Sequence, residues 1–428
     1  MIIGGIASLY GTFYALNFYL WLAYFRPESW VWMDFFKGQR LSLFVGVFTL
    51  LSTFVTGKKI KFTPFSCLLI VILIHSLIST LVSNYTTACW PYWIDFFKII
   101  LIAFLIPIIV SSEKEFKITI IVITLSLGLE SAKQGWAQLI LNPGAANDNG
   151  IPFLGDNNCV AVGMLMLAPI SLALAQSYKK KLFKYAFFFL SIGIIYRAIS
   201  TYSRGGFIAL TCMFTIWWLR SKQKIRLLII AALIAALIIP ALPQSFWDRM
   251  GTITTDQSEM DASSSSRIHF WEVAFRMALS YPMFGVGHNG YNHAYNLFDF
   301  SNGAYGHSRS VHSMWFGILS EWGFIGLLLF LLIYFYSWLA CRRILRKCRN
   351  NPELQHWTNY AVALEASLIA AATGGAFVPF QYVEMLWHFF TLAITIEQLV
   401  SAHELSKTSP LDETTNAFLH QDAVLLKS

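Results

Sequence analysis

Four arginines and one histidine are the residues of this chain best suited to chemistry. Arg197 and Arg204 lie seven apart in RAISTYSRGGF, Arg267 follows four serines, and Arg309 precedes an apolar run. A guanidinium keeps its proton and offers a planar fork to phosphate oxygens. Several around one cavity would suit a diphosphate, and singly each could snorkel to lipid headgroups instead. A helix running unbroken through 197 and 204 would put both on one face. Five of the ten histidines, His269, His288, His293, His307 and His312, cluster late in the chain. None pairs at H-x-x-x-H spacing and no carboxylate cluster joins them, so no metal site is assigned. His312, followed by Ser313, opens the run VHSMWFGILSEWGFIGLLLF. A helix N-terminus disfavours imidazolium, so this ring would stay neutral and could accept a proton. The alternative is a ring that merely decorates the interface.

Glu321 lies inside that run. It is about 13 Å deeper than His312 along a helix and points away from it. It is expected to pair with a basic or hydroxyl group on a neighbouring span, or to cap an interruption near Gly323 and Gly326. Asp95/Lys98 and Glu130/Lys133 are i,i+3 pairs that can neutralise each other. Glu365, Glu384 and His388 also lie in apolar runs, and such residues would equally suit a transporter. FGVGHNGY contains G-x-G-x-x-G but lacks the preceding strand and following helix of a dinucleotide fold, so it reads as a turn after Pro282. D-x-D in the outer loops, H-E-x-x-H and G-x-S-x-G are missing, so neither metal-dependent nor serine-hydrolase chemistry is announced.

The elements that must position these residues are membrane helices. The chain is 56% hydrophobic and 13% charged, against about 25% charged in soluble proteins. The expectation is an all-α polytopic membrane protein of about twelve spans. They fall at 2–25, 41–56, 65–83, 93–111, 117–140, 158–177, 183–202, 205–219, 226–242, 312–340, 358–378 and 382–400. The first reads as a retained helix rather than a signal peptide. With the N-terminus inside, the short inner loops hold eighteen Lys and Arg and the outer ones four, Arg26, Lys37, Arg40 and Arg204. That bias sets both orientation and an even count. The net charge of +8 is therefore topological and calls for no nucleic acid. The six cysteines form no C-x-x-C, so neither a disulfide framework nor a zinc ribbon is indicated.

The organisation that follows is spans one to nine over 1–242, a long outer loop over 243–311, spans ten to twelve over 312–400, and a polar, disordered inner tail over 401–428. Loops as long as the second segment are usually functional or disordered. In RIHFWEVAFRMALSYP, Arg267, Trp271 and Phe275 recur at i+4 and Glu272 can pair with Arg276. This predicts an amphipathic helix, capped by the preceding serine and ending before Pro282.

Three segments carry a resemblance. TYSRGGFIAL, SSSSRIHFWEVAFRMALSYPMFGVGHNGY and VHSMWFGILSEWGFIGLLLF resemble, in order and sidedness, elements of the O-antigen ligase superfamily, membrane ligases and polymerases of polyprenyl-diphosphate-linked glycans. HS at 312–313 and the N-terminal YLWLAYFRPESWVW are similar to a branch of O-glycosylation ligases found beside exosortase systems. The resemblance implies a membrane glycosyltransferase fold of the GT-C type in a bacterial inner membrane. Both termini would be cytoplasmic and the catalytic cavity periplasmic, with no cofactor, nucleotide or metal. Arg204 and Arg267 would bind the donor diphosphate, and His312 would act at the acceptor hydroxyl as base or orienting group. Trp271 and the turn glycines would shape a lid, with Arg197, Arg309, Ser313 and Glu321 in support. The partners would be the lipid-linked glycan and a lipid or protein acceptor. A repeat-unit polymerase on the same carrier and a flippase of lipid-linked glycan remain the alternatives.

Overall fold

The computed structural model describes residues 2–30, 41–58, 60, 62–239, 244, 247, 251 and 262–408. Lys37, Arg40, most of 243–261 and the tail beyond 408, each given a place above, lie outside them. Among the described residues the chain is all helix, without a strand. Ten helices come first: α1 (Ile2–Ser8), α2 (Thr12–Phe25), α3 (Leu41–Val55), α4 (Pro64–Leu81), α5 (Thr86–Ile109), α6 (Glu113–Leu141), α7 (Asn157–Ser177), α8 (Lys181–Ile199), α9 (Arg204–Arg220) and α10 (Lys224–Ile238). Five more complete it: α11 (Ala262–Ser280), α12 (Tyr291–Phe298), α13 (Met314–Asn350), α14 (Trp357–Gly374) and α15 (Glu384–Thr408).

Six of these, α4, α5, α7, α8, α13 and the stretch Glu384–Leu405 of α15, are long and apolar enough to cross a membrane. The other expected spans coincide with helices that are shorter or more polar. The first expected span is split at Leu9–Gly11 into α1 and α2. The last helix runs on from 400 to Thr408, taking in the start of the expected tail. The most enclosed span, α7, packs against α8, α14 and α9, while α13 packs against α4, α11, α14 and α15.

Several charged groups in these helices are paired, as burial in hydrocarbon favours. Lys98 lies 4.0 Å from Asp95 and 3.8 Å from Glu384, which also accepts from the Tyr19 hydroxyl at 2.8 Å. Lys133 meets Glu130 at 2.8 Å, and Arg220 holds the buried Glu365 through two bonds of 2.7 Å.

The long connection carries structure of its own. Phe270, Val273, Ala274, Met277, Val286, Tyr291, Ala294, Tyr295 and Val311 form a small core separate from that of the bundle. The amphipathic helix ends at Ser280, before Pro282, with Glu272 bonded to Arg276 at 2.8 Å. It starts at Ala262, so the serines sit in its first turns and do not precede it as a cap. Four residues before Arg267, the chain is already helical.

Candidate functional site

The site is assembled at the end of the bundle where α9 and α13 begin. Helix α8 stops at Ile199, and Tyr202 adopts a left-handed φ of 53° that turns the chain. Ser203 then caps α9 by accepting from Gly206 N at 3.2 Å. The turn overturns the shared face expected of Arg197 and Arg204, because no helix connects them. Arg197 is fully buried and points into the bundle, donating to Gln134 Oε1 at 3.0 Å and to the carbonyls of Asn147 and Asn149. It fastens the 142–156 connection to α6 and α8. Arg204 is half-exposed at the first position of α9.

Three sequence segments meet here around Phe377. Gly205 approaches so closely that a Cβ would stand 2.9 Å from the Phe377 Cβ. The Phe377 ring lies 6.3 Å from Trp271, and Trp271 stacks on Phe316 at 5.4 Å with an 8° tilt. Met314 N donates to Gly375 O at 2.7 Å, holding the start of α13 against the end of α14. The Trp271 indole N–H is buried with no acceptor among the described residues.

His312 sits two residues before α13, in a left-handed conformation with φ 47°. A non-glycine residue adopts that region at a cost and concentrates at functional sites. Ser313 caps α13, its hydroxyl accepting from Phe316 N at 3.4 Å. The His312 ring lies 6.1 Å from the Phe270 ring, and the Arg309 guanidinium lies 5.7 Å over the same ring. Burial holds the His312 pKa below its ordinary value, and the Arg267 and Arg309 charges push the same way against Asp156. Arg267, Arg309 and Asp156 therefore lie close enough for their charges to act on the imidazole. Asp156 caps α7, accepting from Asn158 N at 2.8 Å and Cys159 N at 3.0 Å. Sequence reading missed it. LGDNN before an apolar run signals a helix cap, but nothing local says the cap faces residue 312.

Below this mouth, α13 is broken. Gly323 has φ 69° and ψ −171°, a conformation open essentially to glycine alone. The break frees carbonyls for the P-x-x-G-x-G turn: Val286 N donates to Ser320 O at 2.9 Å, Gly287 N to Glu321 O at 3.2 Å, and Phe324 N to Pro282 O at 2.8 Å. Ser79 Oγ and His75 Nε2 from α4 reach the Glu321 and Trp322 carbonyls, each at 2.8 Å. The Glu321 carboxylate accepts from the Tyr382 hydroxyl at 2.6 Å, Gln381 Nε2 at 3.4 Å and Tyr291 N at 3.4 Å. The Glu321 carboxylate meets a hydroxyl, though one on the α14–α15 connection rather than on a neighbouring span, and it lies two residues before the break at Gly323 without capping it. It joins α13 to the turn and to the α14–α15 connection, whose Gln381 and Tyr382 carried no signal in the sequence.

The other clustered histidines are structural where their contacts are resolved. His288 is buried between the Phe96, Trp322 and Tyr382 rings, and burial pushes its pKa down to about 3. His269 Nε2 lies 2.8 Å from Asp299 Oδ1. Burial would raise the Asp299 carboxyl, but bonds from Ser301, Gly303 and His269 outweigh it and hold it well below the usual carboxylate range. This clasp ties α11 to the strand of loop leading to His312. Asp299→Ala is expected to speed proteolytic cleavage between 299 and 312 and lower activity, with membrane insertion unchanged. Cleavage at the wild-type rate would show the clasp to be dispensable. Among the described residues no group of three or more His, Cys, Asp or Glu is placed to hold a metal ion.

The apolar helices define a polytopic membrane protein, with a candidate site of arginines and His312 at one end. Residues 185–331 match the O-antigen ligase family, and residues 2–158 match a family of unknown function (DUF5935). The first match covers about a third of the chain and takes in all four arginines, Trp271, His312, Ser313 and Glu321, so this part of the chain is similar to the O-antigen ligase family. No curated protein matches the chain.

Proposed function

We propose that this chain is a glycan ligase of the outer membrane face, with about twelve spans and a GT-C-like arrangement. It would transfer a glycan from a polyprenyl diphosphate to a hydroxyl on a lipid or protein acceptor in the periplasm. A protein acceptor is what the exosortase-associated branch would imply. The observation that carries the reading is a half-buried, strained His312 whose ring lies beside Phe270, with the Arg309 guanidinium over the same Phe270 ring. Arg204 and Arg267 would stabilise charge on the departing diphosphate as fixed, preorganised donors. His312, kept neutral by burial and by the neighbouring arginines, would take the proton of the attacking hydroxyl. Trp271, with its unsatisfied N–H, would line the lid over the sugar. Energy would come from the activated lipid, so no nucleotide is needed.

The test supplies purified protein in lipid with a polyprenyl-diphosphate-linked glycan, candidate acceptors and EDTA, and reads release of free polyprenyl diphosphate. Release that needs acceptor and falls about a hundredfold or more in Arg204→Ala and Arg267→Ala is expected. Product mass separates ligase from polymerase. Normal product from both variants would sink the assignment.

A further inference from the structure

We infer that the end of the bundle opposite the candidate site binds the phosphate-bearing headgroup of an anionic phospholipid, in a cavity of about 620 Å³. Helices α9 and α13 both start at the His312 mouth. The cavity lies where α9 ends and in the last turns of α13, about 25 Å along α9 from Arg204. Three cations line it, Arg220, Lys222 and Arg349, and none of the lining residues is an acid. Lys222 and Arg349 are exposed and make no ion pair with a described residue.

The inner wall is also positive. Glu365 is buried behind Arg220, which holds it with two bonds of 2.7 Å, and Arg342 stands 3.6 Å from the same carboxylate. One carboxylate for two guanidinium groups leaves a surplus positive charge beside the cavity, which Arg220 lines and Arg342 does not. Neutral donors complete the lining. Gln223 Oε1 already accepts from Arg226 at 3.2 Å, which leaves its NH₂ to donate, and Asn359 adds a second amide. This is a donor set for phosphate oxygens, which arginine takes in pairs and lysine as a point charge.

The remaining wall argues for a lipid over a free ion. Trp217, Leu227, Leu345 and Val362 form an apolar side. A free phosphate has no use for that side, whereas a lipid would lay its first acyl carbons there. Basic pockets between membrane helices recognise anionic headgroups by this combination.

The experiment uses the full-length protein in detergent and native mass spectrometry with phosphatidylglycerol or phosphatidylcholine added. Phosphatidylglycerol adducts are expected to exceed phosphatidylcholine adducts. They should fall roughly thirtyfold in K222Q/R349Q and stay unchanged in K180Q/K184Q, which removes the same charge outside the cavity. Equal retention of both lipids, or equal loss in both double variants, would overturn the inference. Glycerol phosphate competing as well as the intact lipid would also overturn it, by making a free phosphate ester the ligand.

Discussion

If the proposed reading holds, His312→Ala is expected to lower glycan transfer by about 10²- to 10⁴-fold, the range set by losing a general base, and to leave the yield and melting temperature of the purified protein unchanged. The second half follows from packing. No hydrogen bond to a described residue holds the His312 ring, and Ser313 rather than His312 caps α13. The pH profile separates a base from a group that only orients. Burial, Arg267 and Arg309 hold the imidazole below its ordinary pKa of 6.5, against Asp156. The active, neutral form is therefore present above the folded pKa and lost as pH falls through it, so the acid limb has its midpoint below 6.5. Arg267→Gln removes a repelling cation and moves that midpoint up, measured on residual activity. Asp156→Asn keeps a helix cap, removes the opposing charge and moves it down. An acid limb indifferent to both substitutions would mean that another group titrates.

Much of this site was legible because its parts are punctuated. The apolar runs gave the helices, and Arg204 and His312 fall at helix starts that those runs marked, whereas the serines before Arg267 lie inside its helix and misplaced its start. The i,i+3 and i,i+4 ion pairs at 95/98, 130/133 and 272/276 are local, so spacing alone found them. What sequence spacing could not give is any partner brought from elsewhere. Asp156 against His312, Tyr382 against Glu321, and Arg197 against the 147–149 carbonyls each join distant segments. The Arg197–Arg204 reading failed because Tyr202 turns left-handed, a conformation that tyrosine gives no reason to expect. Span number suffered differently. Helices such as α6 and α14 carry charged residues that find partners, Glu130 with Lys133 and Glu365 with Arg220, so composition marks them less clearly than their packing does.

The break at Gly323 is where one substitution should do most damage to the architecture. A Cβ there would lie 2.5 Å from the Pro282 carbonyl oxygen and 2.8 Å from the Met283 carbonyl carbon, both backbone atoms that cannot swing aside. The conformation itself costs a non-glycine residue about 1–3 kcal/mol. Relieving the clash means withdrawing the 282–287 turn, which forfeits three backbone bonds at about 1 kcal/mol each. Gly323→Ala is therefore destabilised by about 4–6 kcal/mol, a large part of a typical stability. The loss should be local first. The turn leaves α13, Tyr291 N leaves Glu321, and the small core around Phe270 loses Val286, while the membrane helices stay inserted. The expected result is an inserted protein whose 281–312 segment is cut far faster by protease and whose transfer activity is lost. Pro282→Ala keeps the carbonyl and adds no heavy atom, only an N–H at an exposed position, so it should remain close to wild type in both measurements. If Gly323→Ala were as protease-resistant and active as Pro282→Ala, the docked turn would not be what holds His312 and the arginines in register.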